Sequence, residues 1–123
     1  MAGGLIEQGD VYVIDLGEPF GSEPGYSRPY VVLQNDVLNA SPIRTVLLCA
    51  ITSNMRRARA RGNVIIEAGE GGLPHRSVVN VSQVVTVDKA RLTDYRGGLS
   101  RRRMAQIASG LLTVIQPRDA PSS

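Results

Sequence analysis

Short apolar runs separated by turn-forming residues fill the first two thirds of the chain. Glycine, asparagine, aspartate and serine mark the ends of these runs, as expected of turns between strands. The runs that predict strands are residues 11–16, 30–34, 43–51, 63–67, 77–80 and 83–87. Closely spaced strands with short connections are typical of a small, curved antiparallel sheet or a partly closed barrel. The sequence therefore predicts a mainly β fold.

The periodicity changes near residue 100. Met104, Ile107, Leu111 and Val114 recur at steps of three and four, which is the spacing of one apolar helix face. Ser100 is a good N-cap residue just before them. We therefore predict one amphipathic C-terminal helix of about four turns that lies on the sheet. Residues 89–92 suffice for a single further helical turn.

Length and composition place the chain among small globular proteins. It has 123 residues, 42% hydrophobic and 20% charged, which is enough for one core and too little for two ordinary domains. We predict one domain over residues 1–116 and a disordered tail, residues 117–123. No apolar run approaches the ~20 residues that span a bilayer, and the N-terminus lacks the features of a secretory signal. A cytoplasmic protein without membrane contact is expected.

The positive charge of the chain is carried almost entirely by arginine. The net charge of +3 permits an anionic partner such as nucleic acid without establishing one. Thirteen arginines accompany a single lysine, Lys89. Arginine favours bidentate contacts with phosphates and base edges. The codon usage of a GC-rich genome explains the same excess equally well.

The usual catalytic groups are scarce in this chain. His75 is the only histidine, which excludes a paired-histidine mechanism and a histidine zinc triad within one chain. Cys49 is the only cysteine, and its apolar surroundings predict a buried structural role. No glycine-rich loop is followed by Lys-Ser or Lys-Thr, and the acidic residues are scattered singly. If the protein is an enzyme, we expect it to work without a metal or other cofactor.

Polar residues remain at two predicted strand ends. Arg28 stands where the glycine- and serine-rich loop 21–27, which contains Glu23, meets the second strand, and Thr52 and Ser53 follow the third. If the two junctions lie close together, a carboxylate, a guanidinium and hydroxyls can hold a phosphodiester and stabilise its transition-state charge. Taken singly, the residues have plainer interpretations: a solvated loop acid, a surface ion-pair member and a turn-forming hydroxyl.

Taken together, the motifs resemble those of the MazF/PemK family of bacterial toxin endoribonucleases. The matching stretches are Gly-Asp-Val-Tyr at 9–12, Gly-Ser-Glu at 21–23 with Arg-Pro at 28–29, Gln-Asn-Asp at 34–36, Ala-Ile-Thr-Ser at 50–53, Ala-Gly-Glu-Gly-Gly-Leu-Pro at 68–74 and Thr-Val-Asp-Lys at 86–89. The resemblance runs in order from residue 9 to about residue 115. It implies a small SH3-like barrel of the CcdB/PemK type with a C-terminal helix and short helical turns.

The resemblance also implies a function. Members of this family are metal-independent endoribonucleases that act as homodimers on single-stranded RNA at short sequence motifs. The main target is often messenger RNA, with transfer and ribosomal RNA as further candidates. The ribose 2′-hydroxyl attacks the adjacent phosphate and leaves a 2′,3′-cyclic phosphate and a 5′-hydroxyl. A MazE-like antitoxin peptide is expected to neutralise the enzyme by occupying the substrate groove.

The same resemblance assigns roles to individual residues. Arg28 and Thr52 match the catalytic arginine and threonine of the family, and Glu23 matches its loop acid. Arg28 would stabilise charge or transfer a proton, and the permanent protonation of a guanidinium favours the first role. Thr52 would bind the scissile phosphate, whereas Glu23 would act as a base or position the substrate. The expected substrate-binding residues are Ser22, Ser53, Gln83, Arg56 and Arg57.

Two arginine-rich segments have more than one interpretation. Residues 55–61 carry four arginines in an apparent loop, for which phosphate tracking and simple solvation are about equally good explanations. Arg101, Arg102 and Arg103 open the predicted helix, where cations oppose the helix dipole and where the family usually has an acidic residue. Codon bias, an ion-pair partner and attraction to RNA all remain open for these three.

Two other functions remain beside the nuclease. A gyrase poison of the CcdB type shares the barrel but acts by binding a protein, and a non-catalytic relative would bind RNA without cutting it. The presence of both Arg28 and Thr52 in matching sequence context disfavours the gyrase poison.

Overall fold

The computed structural model describes residues 5–118. The strands in that range are β1 (Asp10–Asp15), β2 (Ser27–Val32), β3 (Thr45–Thr52), β4 (Val64–Ile66), β5 (Ser77–Asp88) and β6 (Asp94–Gly98). The helices are α1 (Asp36–Asn39) and α2 (Arg101–Ile115), and 3-10 turns span Met55–Arg59, Glu70–Gly72 and Lys89–Arg91. The strands form one antiparallel sheet in the order β4-β5-β3-β2-β1-β6. The prediction of a mainly β fold with a C-terminal helix is confirmed, whereas residues 119–123 of the expected tail lie outside the described range.

The central strands are buried on both faces. Because successive strand residues point to opposite sides of a sheet, neighbours along β2 and β3 enter different hydrophobic clusters. Val31 and Cys49 face a first cluster, to which α2 contributes the fully buried Ile107. Tyr30 and Ala50 face a second cluster on the other side of the sheet. The expected structural role of Cys49 agrees with its complete burial, which raises the pKa of its thiol to about 12.

The sheet curls so far that its two edges approach each other. The Glu70–Gly72 turn, which follows the edge strand β4, packs against the opposite edge strand β6. A Cβ atom on Gly72 would overlap the carbonyl oxygen of Arg96, and one on Gly97 would lie 2.7 Å from the carbonyl carbon of Gly71. Gly72 also has a φ of +70°, a conformation that glycine adopts readily. The glycine-rich segment therefore lets two backbones meet and shapes the half-barrel.

β5 is a single strand of twelve residues, where the sequence predicted two strands. Ile51 of β3 pairs with Val79, whereas Cys49 pairs with Val84. Between these pairs β5 advances five residues and β3 only two, so that β5 bulges and bends there. The two predicted segments were right in position and wrong as separate strands, because a bulge interrupts the pairing register without ending the strand.

β6 and α1 were not predicted from the sequence. β6 is mostly exposed and rich in glycine, so that it carries no apolar alternation. It is held by pairing with β1, where the rings of Tyr12 and Tyr95 meet edge to face with their centroids 5.5 Å apart. α1 is one turn that begins at Asn35, whose side chain accepts a hydrogen bond from the Leu38 amide. Such a short turn has no room for a helical repeat.

α2 begins where the sequence predicted it. The Ser100 hydroxyl accepts a hydrogen bond of 3.1 Å from the Arg103 amide, which satisfies one of the free amides of the first turn. Met104 and Ile107 pack on the sheet, but Val114 is 48% exposed. Only the first half of the predicted apolar face is therefore used within one chain. Neither α1 nor α2 has the length and apolarity needed to cross a membrane.

Arg103 has a definite partner in the structure. Its Nε and Nη2 donate to Oε1 and Oε2 of Glu70, both over 2.9 Å, and its Nη1 donates to Gln106. The two hydrogen bonds that Arg103 donates to Glu70 lower the pKa of Glu70 below its usual value. Of the three explanations left open for the arginine cluster, ion pairing applies to Arg103, whereas Arg101 and Arg102 are exposed.

Replacing Arg103 with alanine should lower the free energy of unfolding by about 1–2 kcal/mol at pH 7, since it removes a bidentate, half-buried contact between α2 and the glycine-rich turn. The folded-state pKa of Glu70 is depressed, so the contribution of this pair is present above the unfolded pKa of about 4.3 and is lost as the pH falls through the folded-state pKa. The free energies of unfolding of the wild type and Arg103→Ala, measured with urea, should therefore become equal in acid. Arg102→Ala is the matched control and should change stability by less than about 0.5 kcal/mol; equal losses in both variants would contradict the assignment.

Candidate active site

Arg28 and Thr52 lie on neighbouring strands and share one face of the sheet. β2 and β3 pair in antiparallel register with Tyr30 opposite Ala50. Arg28 and Thr52 each lie two residues beyond this pair, on the same face as Tyr30 and Ala50, and both are half-buried. The sequence left open whether the two strand junctions meet, and the structure pairs the two strands from which they extend.

Within residues 5–118, the guanidinium of Arg28 has no carboxylate partner. Among residues 5–118 its buried Nε has no hydrogen-bond partner, and none of the ion pairs in that range involves Arg28. The interpretation of Arg28 as a surface ion-pair member is therefore wrong for the described chain. A buried donor without a partner is costly, and a phosphate that accepts two hydrogen bonds from the fork would suit this group.

Thr52 combines a structural contact with a free hydroxyl hydrogen. Its Oγ1 accepts a hydrogen bond of 3.1 Å from the Asn54 amide, so the turn-forming role considered from the sequence is present. A hydroxyl that accepts in this way can still donate its own hydrogen. The turn holds Thr52 in place at the end of β3, with the exposed Ser53 immediately after it.

A second group of predicted residues lines a groove of about 650 Å³ between the β1–β2 loop and the second half of β5. Ser22, Glu23 and Gln83 lie in its wall, together with Phe20 and Arg91. Gln83 Nε2 donates a hydrogen bond of 2.9 Å to the Ser22 carbonyl oxygen. This bond ties the loop to β5 and connects residues that are 61 positions apart in the sequence.

The groove lined by Glu23 does not include the other two predicted catalytic residues. Glu23 lines the groove, whereas Arg28 and Thr52 do not, and no ion pair joins Glu23 to Arg28 in the described part of the chain. Tyr26 stands between Glu23 and Arg28 in the sequence. It is a non-glycine residue with a φ of +54°, which is uncommon and marks a tight turn just before β2. The loop conformation therefore sets the separation between the carboxylate and the guanidinium.

Arg56 and Arg57 are exposed on the Met55–Arg59 turn, which the sequence analysis had interpreted as an irregular loop. Asn54 caps this 3-10 turn by accepting a hydrogen bond from the Arg56 amide at 3.1 Å. Asn63 holds its other end by donating 2.9 Å to the Arg57 carbonyl oxygen. These two contacts hold the backbone of the turn, and both arginines are exposed in the segment just after Thr52.

Two aromatic residues near these groups were not among the predicted site residues. Phe20 lines the groove and is 85% exposed, and its only sequence signal is an apolar residue within a polar loop. Tyr30 is fully buried, and its hydroxyl has no partner within residues 5–118. Burial raises the pKa of Tyr30, and the charge of Arg28 opposes this shift. In the same range, no cluster of three or more histidine, cysteine or acidic side chains is placed to hold a metal ion.

The antiparallel half-barrel with a C-terminal helix recurs in a family of small toxins. Residues 7–115 match the family described as PemK-like, MazF-like toxin of type II toxin-antitoxin system. The chain therefore belongs to the PemK/MazF toxin family, and the resemblance inferred from the motifs is confirmed.

Curated relatives in this family are endoribonucleases. Endoribonuclease MazF6 of Mycobacterium tuberculosis is 41% identical over 111 residues, which cover 90% of this chain and 97% of that protein. Endoribonuclease EndoA of Bacillus subtilis is 38% identical over 108 residues, which cover 87% of this chain and 91% of that protein. These names support the expectation of an endoribonuclease at the level of the family.

Solved structures show the same fold. MazF from Deinococcus radiodurans superposes with a TM-score of 0.73 at 19% identity, over 90% of this chain and 96% of that one. A mycobacterial endoribonuclease in complex with its cognate antitoxin superposes with a TM-score of 0.68 at 23% identity, over 91% and 94% of the two chains. The expected barrel architecture is confirmed by these matches.

Proposed function

We propose that this protein is a sequence-specific, metal-independent endoribonuclease toxin that cleaves single-stranded RNA. The observation that carries the proposal is the position of Arg28 and Thr52 at the ends of the paired strands β2 and β3, together with a half-buried arginine that forms no ion pair within residues 5–118. Messenger RNA is the first substrate to test, followed by transfer and ribosomal RNA.

The reaction that suits these groups is an internal transesterification. The ribose 2′-oxygen forms a bond to the adjacent phosphorus and loses its proton, while the bond from phosphorus to the 5′-oxygen breaks and that oxygen gains a proton. The products are a 2′,3′-cyclic phosphate and a 5′-hydroxyl. Arg28 stabilises the charge that builds on the phosphoryl oxygens, and the Thr52 hydroxyl donates a hydrogen bond to the same phosphate.

The groove supplies the remaining contacts with the RNA. Glu23 is the available carboxylate, which orients the substrate or accepts the 2′-hydroxyl proton after the loop moves toward Arg28. Phe20 offers an exposed ring on which a base can stack, while Ser22 and Gln83 present polar groups to base edges. In the segment after Thr52, Ser53, Arg56 and Arg57 contact neighbouring phosphates.

Inhibition and assembly would use two surfaces, the groove and the end of α2. A MazE-like antitoxin peptide would inhibit the enzyme by occupying the groove, in keeping with the antitoxin complexes formed by structural neighbours. A homodimer is supported by Leu112, Val114 and Ile115, which leave 48–62% of their surface exposed at the end of α2. The reaction would take place in the cytoplasm, where its RNA substrates are found.

Incubation of the purified protein with single-stranded RNA in EDTA tests the proposal directly. Fragments with cyclic-phosphate and 5′-hydroxyl ends are expected, and end mapping of the fragments would give the cleavage motif. Stable binding without cleavage would instead identify a non-catalytic RNA-binding protein. Intact RNA together with gyrase-dependent DNA damage would identify a gyrase poison of the CcdB type.

A further inference from the structure

Tyr30 carries a buried polar group that the fold does not use. The side chain has no exposed surface, and its hydroxyl forms no hydrogen bond within the described residues. Its ring packs in the second hydrophobic cluster, where a phenylalanine would fill the same space. A buried hydroxyl without a partner destabilises the folded state relative to an apolar group of the same shape. The hydroxyl therefore calls for an explanation other than stability.

Arg28, two residues before Tyr30, has a buried hydrogen-bond donor without a partner within residues 5–118. Both residues belong to β2 and are two apart, so they lie on the same face of the sheet. The Nε of Arg28 can only donate a hydrogen bond, whereas the phenolic oxygen of Tyr30 can accept one. The charge of Arg28 reaches Tyr30, since it opposes the rise in the pKa of this phenol caused by burial. Among residues 5–118, a buried donor and a buried acceptor without partners thus lie two positions apart on one face of β2.

We propose that Tyr30 is a positioning residue that acts through Arg28. In the RNA-bound enzyme its hydroxyl accepts the hydrogen bond from Arg28 Nε, which directs the two terminal nitrogens of the guanidinium toward the scissile phosphate. The inference rests on the proposed ribonuclease function and names a residue that fixes the orientation of the catalytic arginine. A fork held in this way is ready for the transition state without reorganisation.

Tyr30→Phe tests this role, because it removes only the hydroxyl. The turnover number for RNA cleavage should fall about 10-fold, with KM changed by less than about 2-fold, as expected for a contact used mainly in the transition state. The melting temperature should stay the same or rise, because the lost hydroxyl has no partner in the free protein. Tyr12→Phe is the matched control, since Tyr12 lies opposite Tyr30 in the register and in the same cluster, and it should leave the turnover number unchanged.

A double substitution shows whether Tyr30 acts through Arg28. In single-turnover assays with excess enzyme, Tyr30→Phe should cause no further loss in an Arg28→Ala background, because the group that it orients is gone. An equal 10-fold loss in both backgrounds would overturn the proposal, and so would wild-type turnover by Tyr30→Phe. A lower melting temperature with unchanged turnover would assign the hydroxyl to the fold instead. Failure of the wild-type protein to cleave RNA would reject the underlying function, an outcome distinct from the failure of the positioning role.

Discussion

Replacing Arg28 with alanine should slow RNA cleavage by about 100- to 1000-fold, the loss typical when a preorganised donor to a charged transition state is removed. The effect should fall mainly on turnover, because the guanidinium meets the phosphate charge that develops during the reaction. Cyclic-phosphate formation in EDTA, measured under single-turnover conditions, gives the rate directly.

Two further variants make this result specific to the position and geometry of the arginine. Arg28→Lys keeps the charge but loses the planar fork, so its rate should lie between those of the wild type and Arg28→Ala. Arg44→Ala removes an exposed arginine just before β3 and should cleave at the wild-type rate. Since Arg28 has no protein partner for its buried Nε in the described range, Arg28→Ala should remain folded. Wild-type cleavage by a folded Arg28→Ala protein would rule out the proposed mechanism.

Replacing Gly110 with alanine should destabilise the protein by about 2–3 kcal/mol, the cost of overpacking a tight contact. The usual effect inside a helix is the opposite, a gain of about 1 kcal/mol for alanine over glycine. Here a Cβ atom would overlap the carbonyl oxygen of Gly62 and lie 3.2 Å from its Cα atom. Backbone atoms cannot rotate aside as a side chain can. α2 would therefore have to move away from the sheet and weaken the packing of Ile107.

Urea unfolding of Gly110→Ala compares directly with that of Ser109→Ala, an exposed position on the same helix. The control should be neutral or slightly stabilising, since alanine is a better helix former than serine. If Gly110→Ala matched or exceeded the stability of the control, the close contact between α2 and the turn at Gly62 would be refuted.

Much of the fold was predictable because it depends on local patterns. Short apolar runs bounded by turn residues marked β1 to β5, and Ser100 with the three- and four-residue spacing marked α2. β6 was missed because its residues are mostly exposed and show no apolar alternation. The continuity of β5 was missed because the bulge between Val79 and Val84 is visible only against the partner strand β3.

The candidate site was likewise predictable only in part. The motifs singled out Arg28, Thr52 and Glu23, but they implied a single catalytic cluster. In the structure, Arg28 and Thr52 lie at the ends of the paired strands β2 and β3, whereas Glu23 lines a groove whose wall includes neither of them. The open question about Arg103 was resolved by Glu70, which is 33 positions away in the sequence. Nothing in the sequence distinguished Arg103 from its two neighbours.

The sequence by itself determined the fold class, the family and the chemical character of the site. These depend on residue type, periodicity and ordered motifs, which the chain carries locally. Only the tertiary structure decided which polar groups meet, which arginine is paired and which buried donors have no partner. Those properties depend on strand register, on the curl of the sheet and on close backbone contacts such as Gly62 with Gly110. Each of them joins residues that are distant in the sequence, so the distances exist only after the chain has folded.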